Sequence, residues 1–230
     1  MENFDYIKRN YDGLKKEISE LSRALGRDEP TLVCVTKSGS DEELLALAAA
    51  GADDIGENRP GEVKRRGEIL REAKYSPRMH EIGTLQRNKI KLIADSVYMI
   101  HSVDSYNLAR DISRHASAHG RVIPVLIEVN SAREEQKSGV LIEDAEKLLL
   151  EIRELSGIEV VGLMTMGPAL DDAEKLRPYF KSTKKLFDEL HSRYGFGENP
   201  TLSMGMSDSW RVAVEEGSTL IRVGRKLFTK

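Results

Sequence analysis

One alternation, repeated along almost the whole chain, restricts its fold more than any other feature. Short apolar runs rich in β-branched residues occur at 31–37 (TLVCVTK), 53–57 (DDIGE), 79–83 (MHEIG) and 97–103 (VYMIHSV). They recur at 122–129 (VIPVLIEV), 158–165 (IEVVGLMT), 200–204 (PTLSM) and 219–223 (TLIRV). Between them lie segments with apolar residues at helical spacing, among them DEELLALAAAG, VDSYNLARDISRHASAHG, IEDAEKLLLEIRELSG and DAEKLRPYFKSTKKLFDELHSRYG. Several open on Asp or Ser and close on Gly, the cap chemistry of helix ends. Eight strands each separated by a helix, after one extra N-terminal helix, predict an α/β fold of the (β/α)8 TIM-barrel type. A doubly wound open sheet has the same element order and stays open as an alternative, because period and order say nothing about closure.

No Pro/Gly/Ser-rich linker or charge shift divides the 230 residues, so the expectation is a single domain over 1–230. A net charge of −3 from 35 basic and 38 acidic residues gives no electrostatic pull toward nucleic acid. No apolar stretch approaches the roughly 20 residues of a membrane span, and the MENFDYIKRN terminus lacks a signal-peptide core. One cysteine, Cys34, excludes a disulfide framework within the chain. Together these predict a cytoplasmic protein.

The stretch TLVCVTKSGS, 31–40, ends a buried-looking strand on an ammonium group. Alternation puts Val33, Val35 and Lys37 on one face and Leu32, Cys34 and Thr36 on the other. With the first set inward, two valines fill barrel layers and Lys37 stands at the mouth, where active sites of such barrels lie. The last strand repeats the arrangement with Leu220, Arg222 and Gly224. In a closed barrel the first and last strands are neighbours, so Lys37 and Arg222 flank one pocket. Taken singly, either cation is better explained by snorkelling to water at a strand end.

LSMGMSDSW, 202–210, supplies the other half of a site. The seventh strand runs into a small flexible turn (Ser203, Gly205, Ser207) that opens a helix near Asp208, where free N–H groups attract an anion. Gly224 after the eighth strand leaves room for a ligand against backbone, and these two loops form the recurrent phosphate site of such barrels. Ordinary turn chemistry, with Ser207 or Asp208 as N-cap, accounts for the same residues equally well. A reactive lysine beside a phosphate cradle suggests a phosphorylated carbonyl ligand, and pyridoxal phosphate is the commonest such partner.

The motifs CVTKSGS, IGEN, MHEIGTLQRNK, IHSVD, KSGV, GLMTM, LSMGMSDS and GSTLIRVG occur in the order seen in the pyridoxal-phosphate homeostasis proteins, which this chain resembles from Val33 to Phe228. Those are single-domain barrels similar to the N-terminal domain of alanine racemase. The resemblance implies that Lys37 carries pyridoxal 5′-phosphate as an internal aldimine. It implies that Arg222 faces the pyridine nitrogen while Ser207, Gly224 and Arg225 surround the phosphate. Asn58 and Ser203 are implied as pocket residues, and Lys137 as a second lysine near the mouth. Several positions depart from the family pattern: Arg225 stands where a small hydroxyl residue is usual, Met79 replaces an aromatic, Arg59-Pro60 follows GEN, and Thr229 replaces a glycine.

His115 and His119 have the i, i+4 spacing of a metal-binding helix, but no companion ligands accompany them, so no metal is expected. Racemisation needs a base on each face of the cofactor. Lys37 serves one face, and no tyrosine or cysteine is placed opposite it. The expected function is therefore non-catalytic: holding, buffering or delivering the cofactor, with apo pyridoxal-phosphate enzymes as partners. A pyridoxal-phosphate-dependent amino-acid racemase is the alternative, and a Schiff-base aldolase a more distant one.

Overall fold

The computed structural model describes residues 4–230. The first three residues, and with them the start of the MENFDYIKRN stretch, lie outside the described residues. Eight parallel strands close into a barrel in chain order, β1 to β8, with β1 paired to β8. The strands are β1 (Thr31–Val35), β2 (Asp54–Glu57), β3 (Arg78–Glu81), β4 (Met99–Val103), β5 (Ile123–Glu128), β6 (Ile158–Met164), β7 (Thr201–Ser203) and β8 (Leu220–Val223). Closure decides between the two architectures left open by the sequence. The helices are α1 (Asp5–Leu25), α2 (Asp41–Ala49), α3 (Pro60–Glu72), α4 (Tyr106–Ala118), α5 (Ala145–Ile152), α6 (Arg177–Tyr194), α7 (Trp210–Glu215) and α8 (Arg225–Phe228). No helix among the described residues is long and apolar enough to cross a membrane.

One expected helix is missing. The connection from β3 to β4 carries only a 3-10 turn, Arg87–Leu92. Its buried anchors Ile90 and Ile93 are three residues apart, the period of that tighter helix, and both are fully buried against the outer core.

On β1 strand alternation sorts side chains as expected, whereas on β6 the irregularity at Gly162 breaks it, so that Val161 and Met164, three residues apart, share the inner cluster. Leu32 and Cys34 face outward into a cluster with Ile7, Leu14 and Ile18 of α1 and with Trp210. Val33 faces inward, where its methyl would meet a Cβ placed on Gly56 at 2.7 Å. Met99, Leu126, Val161 and Met164 form a separate small cluster filling the barrel interior. α1 lies across α2, α7 and α8 and so covers the seam between β1 and β8. Apolar positions at helical spacing explain why this long segment is a helix and which stripe it buries. Gly26, in the left-handed conformation at φ +62°, ends it.

Candidate functional site

Lys37 sits two residues beyond β1, exposed at the C-terminal mouth of the barrel. Alternation predicts it as the last residue of the strand; in fact pairing continues only to Thr36, whose N–H donates to Gly56 O at 3.2 Å. The turn then closes through Gly39 N–H to Thr36 O at 2.9 Å. Buried Arg66 of α3 pins this turn, donating to the carbonyls of Thr36 (2.9 Å) and Gly39 (2.8 Å). Its Nε lies 3.2 Å from Glu57, which also accepts from the Thr36 hydroxyl. Burial raises the Glu57 carboxyl against the pull of these partners. Gly39 packs so closely on the Phe228 ring that a Cβ there would lie 2.5 Å from it.

Arg222 is almost fully buried beside Val33 of the neighbouring strand. It donates to the Ser203 hydroxyl and to the Thr165 carbonyl, the latter at 3.1 Å. Burial lowers it to about 10 while Glu128 pulls the other way, so it stays charged at neutral pH. Leu220, on the same face, lines the opposite end of the barrel, and Gly224 reaches the mouth. Strand pairing therefore brings Arg222, Ser203, Ser207 and Gly224 together along β7 and β8, next to the turn that holds Lys37.

The turn after β7 differs from the expectation in one respect. The helix starts at Trp210, not near Asp208, because residues 207–209 form a further turn in which the Ser209 hydroxyl accepts from Met206 N–H at 3.1 Å. Gly205 has φ +91°, and a Cβ there would sit 2.5 Å from Ala213 Cβ, so only glycine fits. Ser207 is buried and accepts from Gly224 N–H at 3.2 Å, tying the two loops together. A Cβ on Gly224 would lie 2.9 Å from Val35 O. Arg225 points elsewhere: it pairs with Asp208, and both side chains are mostly exposed. Asn58 is exposed after β2, its backbone pressed against Gly83 of the adjoining loop.

On the β5–β6 side of the mouth lies a cavity of about 360 Å³ lined by Glu128, Asn130, Lys137, Thr165 and neighbours. Lys137 donates to Gly167 O at 3.0 Å and lies 2.6 Å from Glu134. Glu128 accepts from Ser138, while its other oxygen is buried with no hydrogen-bond partner among the described residues. Burial raises its carboxyl. No motif marks Glu128, and although His101 and Thr165 fall within IHSVD and GLMTM, the sequence gives neither a role in the site. Strand alternation is the signal that could: it places Glu128 on the Leu126 face and His101 on the Met99 face, both inward. Cys34 is fully buried on the outer face, and burial pushes its thiol well up. Chemically, the mouth offers a primary amine, a buried cation that only donates hydrogen bonds, and a turn that carries glycines and the Ser207 hydroxyl.

A family model described as the N-terminal domain of alanine racemase matches residues 10–229. A relative from Aquifex aeolicus named "Pyridoxal phosphate homeostasis protein" is 39% identical over 215 residues, covering 93% of each chain. A crystal structure of an unknown protein from Bifidobacterium adolescentis superposes with a TM-score of 0.90 at 35% identity, covering 98% of this chain and 95% of that one. PipY of Synechococcus elongatus, solved with PLP bound, gives 0.84 at 28% identity and covers 97% and 100%. The chain belongs to the pyridoxal phosphate homeostasis proteins, within the family of the alanine racemase N-terminal domain.

Proposed function

We propose that this protein binds pyridoxal 5′-phosphate at the barrel mouth and holds, buffers or delivers it instead of running a reaction on it. Buried, charged Arg222, fixed by Ser203 and Thr165 beside the Lys37 turn, is the observation that carries the reading. The residues fit the group in their chemistry: an exposed lysine amine at the mouth, a buried arginine, and a turn whose Ser207 hydroxyl lies against the Gly224 N–H. When bound, the cofactor supplies an aldehyde for amines and an electron-accepting ring. Lys37 would hold it covalently. Ser207 and Gly224 would take the phosphate, with Asn58 and Ser203 on the pocket wall. Arg225 would contribute only by leaving Asp208. An arginine facing the ring nitrogen donates and never accepts, so it keeps that nitrogen unprotonated and weakens the ring as an electron sink.

The natural partners in this reading are apo pyridoxal-phosphate enzymes, met in the cytoplasm. The test has two stages. Borohydride treatment of the purified, cofactor-loaded protein should fix the cofactor on the peptide containing Lys37, and Lys37→Ala should abolish this. Mixing the loaded protein with an apo enzyme should then restore that enzyme's activity. Trapping on another lysine would refute the site, and amino-acid turnover by the protein alone would favour a racemase.

A further inference from the structure

A line of hydrogen-bonded side chains crosses the barrel interior beneath Arg222. Arg78 of β3 lies 2.5 Å from Asp54 of β2, and the other Asp54 oxygen is 2.9 Å from His80 Nε2. His80 Nδ1 lies 2.9 Å from Nε2 of His101 on β4. His101 Nδ1 lies 3.1 Å from the hydroxyl of Ser203 on β7, which accepts from Arg222 of β8. Asp54, His80, His101, Ser203 and Arg222 are each at most 4% exposed.

The ends of this line fix its direction. A guanidinium only donates and a carboxylate only accepts. Burial opposes ionisation of Asp54, but hydrogen bonds from His80 and Arg78 outweigh it and hold the carboxyl below its ordinary value. Burial lowers His80, and burial, with the Arg222 charge pushing the same way, lowers His101 well below its ordinary value. Both rings are therefore neutral at pH 7. With Asp54 ionised, His80 must carry its proton on Nε2 and accept at Nδ1. His101 must then donate from Nε2 and accept at Nδ1, so the Ser203 O–H points at His101. This turns the Ser203 lone pairs toward Arg222. Every group in the line has one possible role.

We infer that His80 and His101 are positioning residues, neutral rings that orient the Ser203 acceptor and so hold the Arg222 guanidinium in place, with Asp54 as the acceptor that ends the line. The role toward the cofactor ring rests on the function proposed above; the one-way line itself does not. Remaining groups near the line are Arg78 and Tyr98 against His80, and Glu128 near Arg222 without a hydrogen bond to it. A cavity of about 510 Å³ at the N-terminal end, lined by Asp54, Arg78, His80 and Tyr98, lets solvent reach the far end without passing the mouth. Breaking the line would leave a buried cation less well held, and a polarised chain of this kind loses more than one bond at a time.

Two measurements test this. In ligand-free, nitrogen-15-labelled protein, NMR should show His80 and His101 neutral at pH 7, each protonated on Nε2 and not on Nδ1. A doubly protonated ring or an Nδ1–H tautomer at either position overturns the inference. With pyridoxal phosphate, His101→Leu should weaken binding about tenfold, the scale of a lost hydrogen bond to a charged group, and shift the visible absorption. His101→Asn, which keeps one acceptor for Ser203, should recover part of both. A folded His101→Leu with wild-type affinity and spectrum also overturns the inference. If His101→Leu does not fold, the NMR result decides. Wild-type protein that binds no pyridoxal phosphate would sink the proposed function and the role toward the ring, while the NMR arm would still judge the line.

Discussion

Glu81 is fully buried, and its Oε2 finds no hydrogen-bond partner among the described residues, while Oε1 accepts from Gly83 N–H at 3.1 Å. Burial, with a smaller push from Glu57, raises the carboxyl to about 8. A carboxyl raised above its unfolded value is protonated in the native state while the unfolded chain has lost the proton. Its contribution is therefore complete below about pH 4.5 and is lost as pH rises through about 8. A tenfold difference in proton affinity between the folded and unfolded chain is worth about 1.4 kcal/mol, so the effect is large enough to see in denaturant melts. Glu81→Gln should be more stable than wild type at pH 8 and flatten the slope between pH 5 and 8, with Glu57 and Glu128, also raised by burial, keeping a residual slope. A variant as steep as wild type would refute the assignment. At the mouth, Ser207→Ala removes a hydroxyl that now accepts from Gly224 N–H. Titration with pyridoxal phosphate should show a loss of about 1–2 kcal/mol, and unchanged affinity would place the phosphate elsewhere.

At the scale of elements, α3 reaches over to the β1 loop through one side chain. Arg66 links the carbonyls of Thr36 and Gly39 to Glu57, so a helix three elements later in the chain than β1 sets where Lys37 stands. Removing it would strand a buried carboxylate and two carbonyls. Arg66→Leu should cost about 3 kcal/mol or more in denaturant melts, the scale for breaking one side of a buried ion pair. Lys37 should then be modified faster by amine reagents in the ligand-free protein. Wild-type stability for this variant would mean that the turn holds itself. α2 is better insured: Ser40 and Glu43 form a reciprocal capping box at its start.

For the whole molecule, α1 is part of the core, not an appendage. Its fully buried Ile7 and Ile18 pack with Leu32, Cys34, Trp210 and Leu227, which come from both ends of the barrel sequence. Ile18→Ala should cost about 2–5 kcal/mol in equilibrium unfolding, as for other buried large-to-small changes. A loss below about 0.5 kcal/mol, the scale of ordinary surface substitutions, would show that α1 is dispensable to the barrel.

Local chemistry explains which features are legible in the chain itself. Alternation along Leu32–Val35 and Leu220–Gly224 is a property of the extended backbone, and it sorts inward from outward residues correctly. Helical spacing likewise marks the helices that cover the barrel. The turn residues Gly205 and Ser207 announce themselves because a left-handed backbone and a small polar side chain are local needs. Closure is different in kind, since it depends on β1 finding β8 across nearly 190 residues. The late start of α7 follows from turn bonds that local period does not encode. The line from Asp54 through His80 and His101 to Ser203 and Arg222 joins five strands, and one of its bonds spans 102 residues. Each side chain alone reads as a buried polar residue on a strand. Only the closed barrel, by facing them inward at matching heights, makes them one hydrogen-bonded unit, and only the structure shows Arg225 engaged with Asp208. The sequence settled which residues of β1 and β8 face inward; closure decided which of them meet, because contacts across the barrel axis are set by strand order and stagger.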